Sequence, residues 1–112
     1  MTRNFAHKTI VVVGAGRSGL ALTDHLCRGG ANVILSDRRE GRQITGLERL
    51  AGFDVLFDFG GHSAELFRRA DLIVVSPGVP LTVPASDEAR KAGVKIVGET
   101  EVASSALQAP IV

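Results

Sequence analysis

The residues best suited to chemistry in this 112-residue chain are glycines and short charged groups that directly follow apolar runs. The first group, residues 14–19, reads GAGRSG and fits the pattern G-x-G-x-x-G between a strand-like run and a helix-like run. In that context Gly14 permits a tight turn, Gly16 lets a phosphate approach the backbone, and Gly19 allows the helix to pack close to the strand. The helix N-terminus adds free N–H groups and a partial positive charge, which favour a diphosphate.

Two side chains in this loop, Arg17 and Ser18, lie where they can add a cation and a hydroxyl group to an anion site. The alternative is a glycine-rich turn that serves only to pack the helix against the strand. The order strand, glycine loop, helix is the one that the phosphate-binding pattern requires. The sequence therefore favours the phosphate-binding interpretation.

A second charged group, Asp37-Arg38-Arg39, follows the apolar run at residues 32–36. Asp37 lies 18 residues beyond Gly19, close to the spacing of about 20 residues at which an acid binds the ribose in dinucleotide sites. We predict that Asp37 accepts hydrogen bonds from a ribose or a base edge, and that Arg38 and Arg39 stack on a base or meet a phosphate. The alternative for both arginines is a solvated loop.

A third group, Ser76-Pro77-Gly78, follows the apolar run at residues 71–75. Proline restricts this loop and glycine frees it, so its backbone N–H groups can turn toward a phosphate. The alternative is an ordinary turn at the end of a strand, because proline and glycine occur in any turn.

The remaining reactive side chains do not form a catalytic or metal-binding set. His7 precedes the first strand, His25 lies inside the first helix, and His62 follows the third strand on the ligand side. None has a partner at metal-ligand spacing, and Cys27 fits a buried helix position. We predict no catalytic residue and no metal ligand in this chain.

The elements that position these groups alternate along the chain. Predicted strands cover residues 9–13, 32–36, 54–57, 71–75 and 94–97, and predicted helices cover 18–28, 43–51, 63–70, 84–92 and 98–107, with residues 109–112 opening a further strand. Such alternation predicts an α/β fold, a Rossmann-like, doubly wound parallel five-stranded sheet in a single domain. In such sheets ligands bind at the carboxyl ends of the strands, which is where all three groups fall.

Composition narrows the classes of function. The net charge of +1 argues against nucleic acid as a partner. No apolar run is long enough to cross a membrane, and the N-terminus does not resemble a secretion signal. The single cysteine excludes an internal disulfide and fits a reducing compartment. We expect a cytoplasmic protein.

Three stretches together resemble the N-terminal domain of the Mur ligase family. They are KTIVVVGAGRSGLALTDHLCRGGANVILSDRR, ADLIVVSPGVP and AGVKIVGETEVASSALQAPIV, which cover nearly the whole chain. The SPG-[IV]-P loop and the GE-x-E segment before APIV are more specific than the glycine pattern, which also fits many dehydrogenases. Within the family, the chain is most similar to the branch that adds D-glutamate to UDP-N-acetylmuramoyl-L-alanine during peptidoglycan synthesis.

The resemblance implies that the domain binds the UDP part of that substrate and not NAD. It assigns the glycine loop to the diphosphate, the segment after the second strand to uracil, and the loop after the fourth strand to the uridine diphosphate. The residues that match by position are Gly14, Gly16, Arg17, Ser18, Gly19, Asp37, Arg38, Arg39, Ser76, Pro77 and Gly78. The family often has Thr where this chain has Arg38 and an apolar residue where it has Arg17, so side-chain contacts at these two positions are not carried over.

The resemblance also implies a central ATP-binding domain and a C-terminal domain in the parent ligase. In the family, a strand like APIV leads into an ATP-binding P-loop, and this chain ends before one. We therefore expect residues 1–112 to be a fragment that is inactive alone and binds no cofactor. The parent enzyme is expected to use ATP and Mg²⁺ to convert the substrate carboxylate into an acyl phosphate, which the amine of D-glutamate attacks.

Two other classes of protein stay open. One is the NAD(P)-binding domain of an oxidoreductase, which the three glycines and Asp37 also fit. The other is a non-catalytic module that binds a nucleotide for regulation or assembly.

Overall fold

The computed structural model describes residues 6–76 and 84–98. Pro77 and Gly78 lie outside the described residues, as do nearly all of the helix predicted at 98–107 and the strand predicted at 109–112. Residue 98 itself is the last residue of a strand.

Five parallel strands form one sheet. They are β1 (Thr9–Val13), β2 (Asn32–Asp37), β3 (Leu56–Phe59), β4 (Leu72–Val75) and β5 (Lys95–Gly98), in the order β3-β2-β1-β4-β5. The central strand β1 reads TIVVV, and residues 10–13 are fully buried, as expected for a strand with helices on both faces. The predicted doubly wound, Rossmann-like sheet is confirmed.

In the described part of the chain, three α-helices cover the two faces of the sheet. They are α1 (Arg17–Arg28), α2 (Ala64–Arg68) and α3 (Pro84–Lys91). Ser63 caps α2, because its side chain accepts a hydrogen bond from the N–H group of Leu66 at 3.4 Å. Every helix in the described part of the chain is too short or too polar to traverse a bilayer.

The helix predicted at residues 43–51 is wrong. Two 3₁₀ turns, Gly41–Gln43 and Leu47–Leu50, occupy that region. Gly46 separates them with a φ of 93°, a left-handed conformation that does not continue a helix. Leu50 is nevertheless buried, so the apolar pattern identified a core side chain but not the local backbone.

The third strand also begins two residues later than predicted. Its register is fixed by β2, with Ile34 opposite Leu56 and Asp37 opposite Phe59. Strand β3 lies at the edge of the sheet, and Leu56 and Phe57 are both largely exposed. The sequence lacked the continuous apolar run that marked the inner strands.

Two apolar layers hold the sheet between its helices. On one face, the buried side chains include Ile10, Val12, Leu20, Leu26, Val33, Leu35 and Leu50. On the other face, they include Val11, Val13, Ile34, Phe67, Ile73, Val75 and Ala89. Each fully buried aliphatic side chain contributes about 1.5–3 kcal/mol, so the core fixes the positions of the strand ends.

Candidate functional site

The glycine loop begins at a residue whose backbone requires glycine. Gly14 has a φ of 105°, which side chains other than glycine rarely tolerate. Its N–H group donates to the carbonyl of Ser36 at 2.8 Å, and its carbonyl accepts from the hydroxyl of Ser76 at 3.3 Å. Gly14 thereby ties the ends of β1, β2 and β4 together.

Gly19 is required by close packing. A Cβ atom at this position would overlap the carbonyl oxygen of Gly14 and would lie 3.1 Å from Oγ of Ser76. Helix α1 therefore approaches the end of β1 as closely as the backbone permits. The packing role that the sequence analysis gave to Gly19 agrees with this geometry.

Gly16 is different, because nothing in the fold requires a glycine there. Its φ is −82°, and a Cβ atom would meet nothing within 4 Å. The space in front of Gly16 is therefore open. Arg17 and Ser18 follow it and are exposed.

The N-terminus of α1 faces this open space without a cap. Within residues 6–76 and 84–98, no side chain caps α1 and its first turn holds no acidic residue. The first N–H groups of a helix have no acceptor inside the helix, and the helix dipole adds a partial positive charge there. This arrangement can hold an anion.

Asp37 is buried at the end of β2, with 6% of its surface exposed. Its Oδ2 accepts from the N–H group of Ala15 at 2.8 Å and from Nη2 of Arg39 at 2.8 Å. Its Oδ1 accepts from the N–H group of Arg39 at 2.8 Å and from Nε of Arg39 at 3.0 Å. These four bonds use the acceptor positions that a carboxylate has, so Asp37 joins the glycine loop to the segment after β2.

The charge of Asp37 is strongly stabilised. Burial alone would raise its pKa. The hydrogen bonds from the Arg39 side chain and from the N–H groups of Ala15 and Arg39 outweigh burial and lower the pKa to about 2. Asp37 is therefore ionised at neutral pH. It fixes one edge of the half-exposed guanidinium of Arg39.

The structure thus brings the predicted groups together at one edge of the sheet. Gly14, Asp37 and Ser76 are linked around the end of β1, and Gly16 opens outward beside them. Arg38 is exposed after β2. Pro77 and Gly78 lie outside the described residues, so their predicted contribution stays a prediction.

A second polar cluster at this edge was missed as a unit by sequence reasoning. The hydroxyl of Ser36 lies within hydrogen-bond distance of both the carboxylate of Asp58 and the ring of His62. Ser36 and Asp58 are opposite each other on β2 and β3 and share a face. The signal in the sequence that could have identified this cluster is the presence of polar residues at inward-facing strand positions. Burying such residues without hydrogen-bond partners is energetically unfavourable.

Metal binding has no support in the described ranges. No group of three or more His, Cys, Asp or Glu residues in 6–76 and 84–98 could hold a metal ion. Cys27 is half-buried in α1, and burial raises the pKa of its thiol.

The sheet order and the glycine loop define the chain as a Rossmann-like domain with an open β1–α1 turn. Its residues 8–98 match the model of the family described as Mur ligase MurD-like, N-terminal domain. The chain belongs to this family.

Individual relatives agree with that assignment. The UDP-N-acetylmuramoylalanine–D-glutamate ligase of Syntrophotalea carbinolica is 47% identical over 108 residues, which are 96% of this chain and 24% of that protein. The ligase of the same name from Pelotomaculum thermopropionicum is 41% identical over 113 residues, or 100% of this chain and 25% of that protein. The chain thus spans about a quarter of the length of these relatives.

Solved structures place the fold among Mur ligases and dehydrogenases. UDP-N-acetylmuramate-alanine ligase MurC from Thermotoga maritima aligns with a TM-score of 0.73 and 27% identity, over 91% of this chain and 23% of that one. Shikimate dehydrogenase from Aquifex aeolicus aligns with a TM-score of 0.58 and 18% identity, over 85% and 43% of the two chains. The second likeness concerns the fold alone.

Proposed function

We propose that this chain is the UDP-binding domain of a peptidoglycan-precursor ligase that adds D-glutamate to UDP-N-acetylmuramoyl-L-alanine. Membership of the MurD-like family and the names of the relatives support the choice of ligase. The observation that carries the binding role is the uncapped start of α1, which faces open space at Gly16. A helix start of this kind suits the diphosphate of such a substrate.

In this proposal each part of the edge has one task. The N–H groups after Gly16 bind the diphosphate, with Arg17 and Ser18 beside it. Arg39 lies against the uracil, and Asp37 holds Arg39 in place. Because the acceptor positions of Asp37 are already used within the chain, we assign it a positioning role and not a direct hydrogen bond to the ribose.

No chemical step is assigned to residues of this chain. ATP hydrolysis, Mg²⁺ and the attack of D-glutamate belong to the remaining domains of the proposed ligase, which acts in the cytoplasm. The chain's residues bind the remote nucleotide end of the substrate. Binding far from the reacting bond still serves catalysis, because it fixes the position of the carboxylate that reacts. By itself the chain is expected to bind UDP weakly and to catalyse nothing.

The second candidate is an NAD-binding domain of an oxidoreductase, which the three loop glycines and the spacing of Asp37 also fit. The engagement of Asp37 weakens it. In a dinucleotide site this acid accepts hydrogen bonds from the adenosine ribose, and here its oxygens already accept four bonds from the chain.

Titration separates the two candidates. We expect UDP to shift the amide NMR signals of residues 15–19 and 37–39, uridine to shift the second group more than the first, and NAD to shift neither at equal concentration. Saturable binding of NAD without a response to UDP would overturn the proposal.

A further inference from the structure

His62 belongs to a partly buried polar cluster that the proposed function leaves without a task. Oγ of Ser36 lies 2.7 Å from Nδ1 of His62 and donates to Oδ2 of Asp58 at 3.0 Å. Ser36 is fully buried. The same Asp58 oxygen accepts from the N–H group of Ser63 at 2.9 Å.

The protons in this cluster can be assigned from chemistry. A carboxylate only accepts hydrogen bonds, so the single proton of the Ser36 hydroxyl goes to Asp58. The Ser36 oxygen must then accept from His62, which places the ring proton on Nδ1. In neutral His62, Nε2 is consequently the unprotonated nitrogen, a hydrogen-bond acceptor.

Nε2 is also accessible. In the described part of the chain, it has no hydrogen-bond partner, and no side-chain nitrogen or oxygen atom is both buried and unpaired. Nε2 therefore reaches the surface. The rest of the partly exposed ring is held by Ser36 and by edge-on packing against Phe67, with 5.7 Å between the ring centroids.

The loop that carries His62 is fastened to the proposed uracil segment. The N–H group of Gly60 donates to the carbonyls of Asp37 at 3.0 Å and Arg39 at 2.9 Å, and Gly61 forms an antiparallel bridge with Asp37. His62 therefore lies beside the segment 37–39, at the carboxyl edge of the sheet.

Burial favours the neutral form of His62, and it outweighs the two carboxylates nearby. Burial lowers its pKa, Asp58 on β3 and Asp37 at the end of β2 act to raise it, and Arg38 acts to lower it further. From α2 the apolar ring of Phe67 packs edge-on against His62. The net effect is a lowered pKa, so Nε2 stays an acceptor at neutral pH.

We propose that His62 selects the base of the nucleotide, with Nε2 accepting a hydrogen bond from the imide N–H of uracil. This inference rests on the proposed UDP-binding function. Cytosine presents an acceptor nitrogen at the corresponding ring position and would leave both acceptors unpaired. His62 thus acts as a specificity-determining residue.

The test compares the affinities of UDP and CDP, measured by calorimetry, for the wild type, His62→Phe and a matched control, His25→Phe. Phenylalanine keeps an aromatic ring against Phe67 but removes the acceptor. We expect the wild type and the control to prefer UDP over CDP by about tenfold or more. This is the effect of one hydrogen bond that forms with uracil and leaves two acceptors unpaired with cytosine. In His62→Phe the preference should fall close to one.

The outcomes separate the inference from the function on which it rests. Equal losses of UDP and CDP affinity in His62→Phe, with the preference unchanged, would overturn the role of His62 and leave the proposed UDP-binding function standing. A wild type that binds neither nucleotide would overturn the proposed function and the inference together. The tautomer has its own check, independent of any variant. ¹⁵N NMR of the wild-type histidines should find His62 protonated at Nδ1, and a proton on Nε2 alone at neutral pH would contradict the inference.

Discussion

The carboxylate of Asp37 has a different role in the fold from the one that its spacing in the sequence suggested. Its distance from the glycine loop is that of a ribose-binding acid, yet in the fold it binds Ala15 and Arg39. The sequence identified the right residue at the right edge. Only the folded arrangement of its donors revealed that it holds the site together.

Replacing this carboxylate should therefore cost stability in a pH-dependent way. We expect Asp37→Asn to lower the free energy of unfolding at pH 7 by about 1–2 kcal/mol, allowing for solvent screening on the exposed side of Arg39. The pKa of Asp37 is lowered from 3.8 to about 2 in the folded chain. The contribution is thus complete above the unfolded pKa and is lost as the pH falls through the folded one.

Denaturant unfolding of the wild type and Asp37→Asn at pH 7 and pH 3 measures the contribution of this carboxylate to the free energy of unfolding. The difference between wild type and variant should shrink to about half at pH 3. Asp54→Asn, at an exposed carboxylate, is the matched control and should change stability little at either pH. A constant Asp37 difference across this range would show that its charge is not what stabilises the fold.

The three loop glycines should respond differently to substitution, since each is a glycine for a different reason. Gly16→Val is expected to leave the melting temperature nearly unchanged, because the position is open. It should weaken UDP binding about tenfold or more, because the added side chain covers the N–H groups. A loss of this size corresponds to hydrogen bonds to a charged group. Gly52→Val, also at an open position, controls for the added side chain and should leave both quantities unchanged.

Gly19→Ala should show the reverse order of effects. Its Cβ would overlap the Gly14 carbonyl, so the helix must move, at a cost of about 1–3 kcal/mol in the free energy of unfolding. Thermal melts and UDP titrations of Gly16→Val and Gly19→Ala test these two expectations. Unchanged stability of Gly19→Ala would contradict the close approach of α1 to β1, and normal UDP binding by Gly16→Val would contradict the placement of the diphosphate.

At the scale of elements, the short helix α2 shows that tertiary packing outweighs helix propensity. Five residues are too few for an isolated helix to persist in water, and α2 is held by Phe67, which is fully buried against the sheet. The neighbouring edge strand β3 contributes less, because Phe57 is 44% exposed and stacks mainly on Phe59.

Two truncations test this contrast. Phe67→Ala should cost about 3–5 kcal/mol, whereas Phe57→Ala should cost about 1 kcal/mol because much of its ring is already in water. Denaturant unfolding of the two variants gives the comparison. Equal losses would mean that β3 is covered more fully than its exposure indicates.

At the scale of the whole molecule, the order of the strands creates the site. Strands β1 and β4 are neighbours in the sheet although β2 and β3 lie between them in sequence, so the direction of winding reverses at this pair. Ligands of open α/β sheets bind at such a point. Here Ser76, which follows β4, donates a hydrogen bond from its hydroxyl to the carbonyl of Gly14, which follows β1. Dehydrogenases share the architecture, so the fold by itself does not choose between UDP and NAD; the side chains around the edge must do so.

Much of this architecture was determined by the sequence alone. The runs TIVVV and DLIVV, their bounding glycines and the alternation with helix patterns predicted a parallel sheet, since only buried strands are apolar on both faces. The pattern of the glycine loop predicted the tight turn at Gly14 and the close packing at Gly19. These are local properties, set by backbone sterics and by the spacing of apolar residues.

Tertiary structure decided what depends on partners distant in sequence. The start of β3 was set by its register with β2, and the 3₁₀ turns replaced a helix because Gly46 adopts a left-handed conformation. Ser36, Asp58 and His62 came together only when two strands paired. The lone pairs of Asp37 were likewise committed by residues 15 and 39. A hydrogen bond requires two groups at a fixed distance, and the sequence lists the groups while the fold supplies the distance.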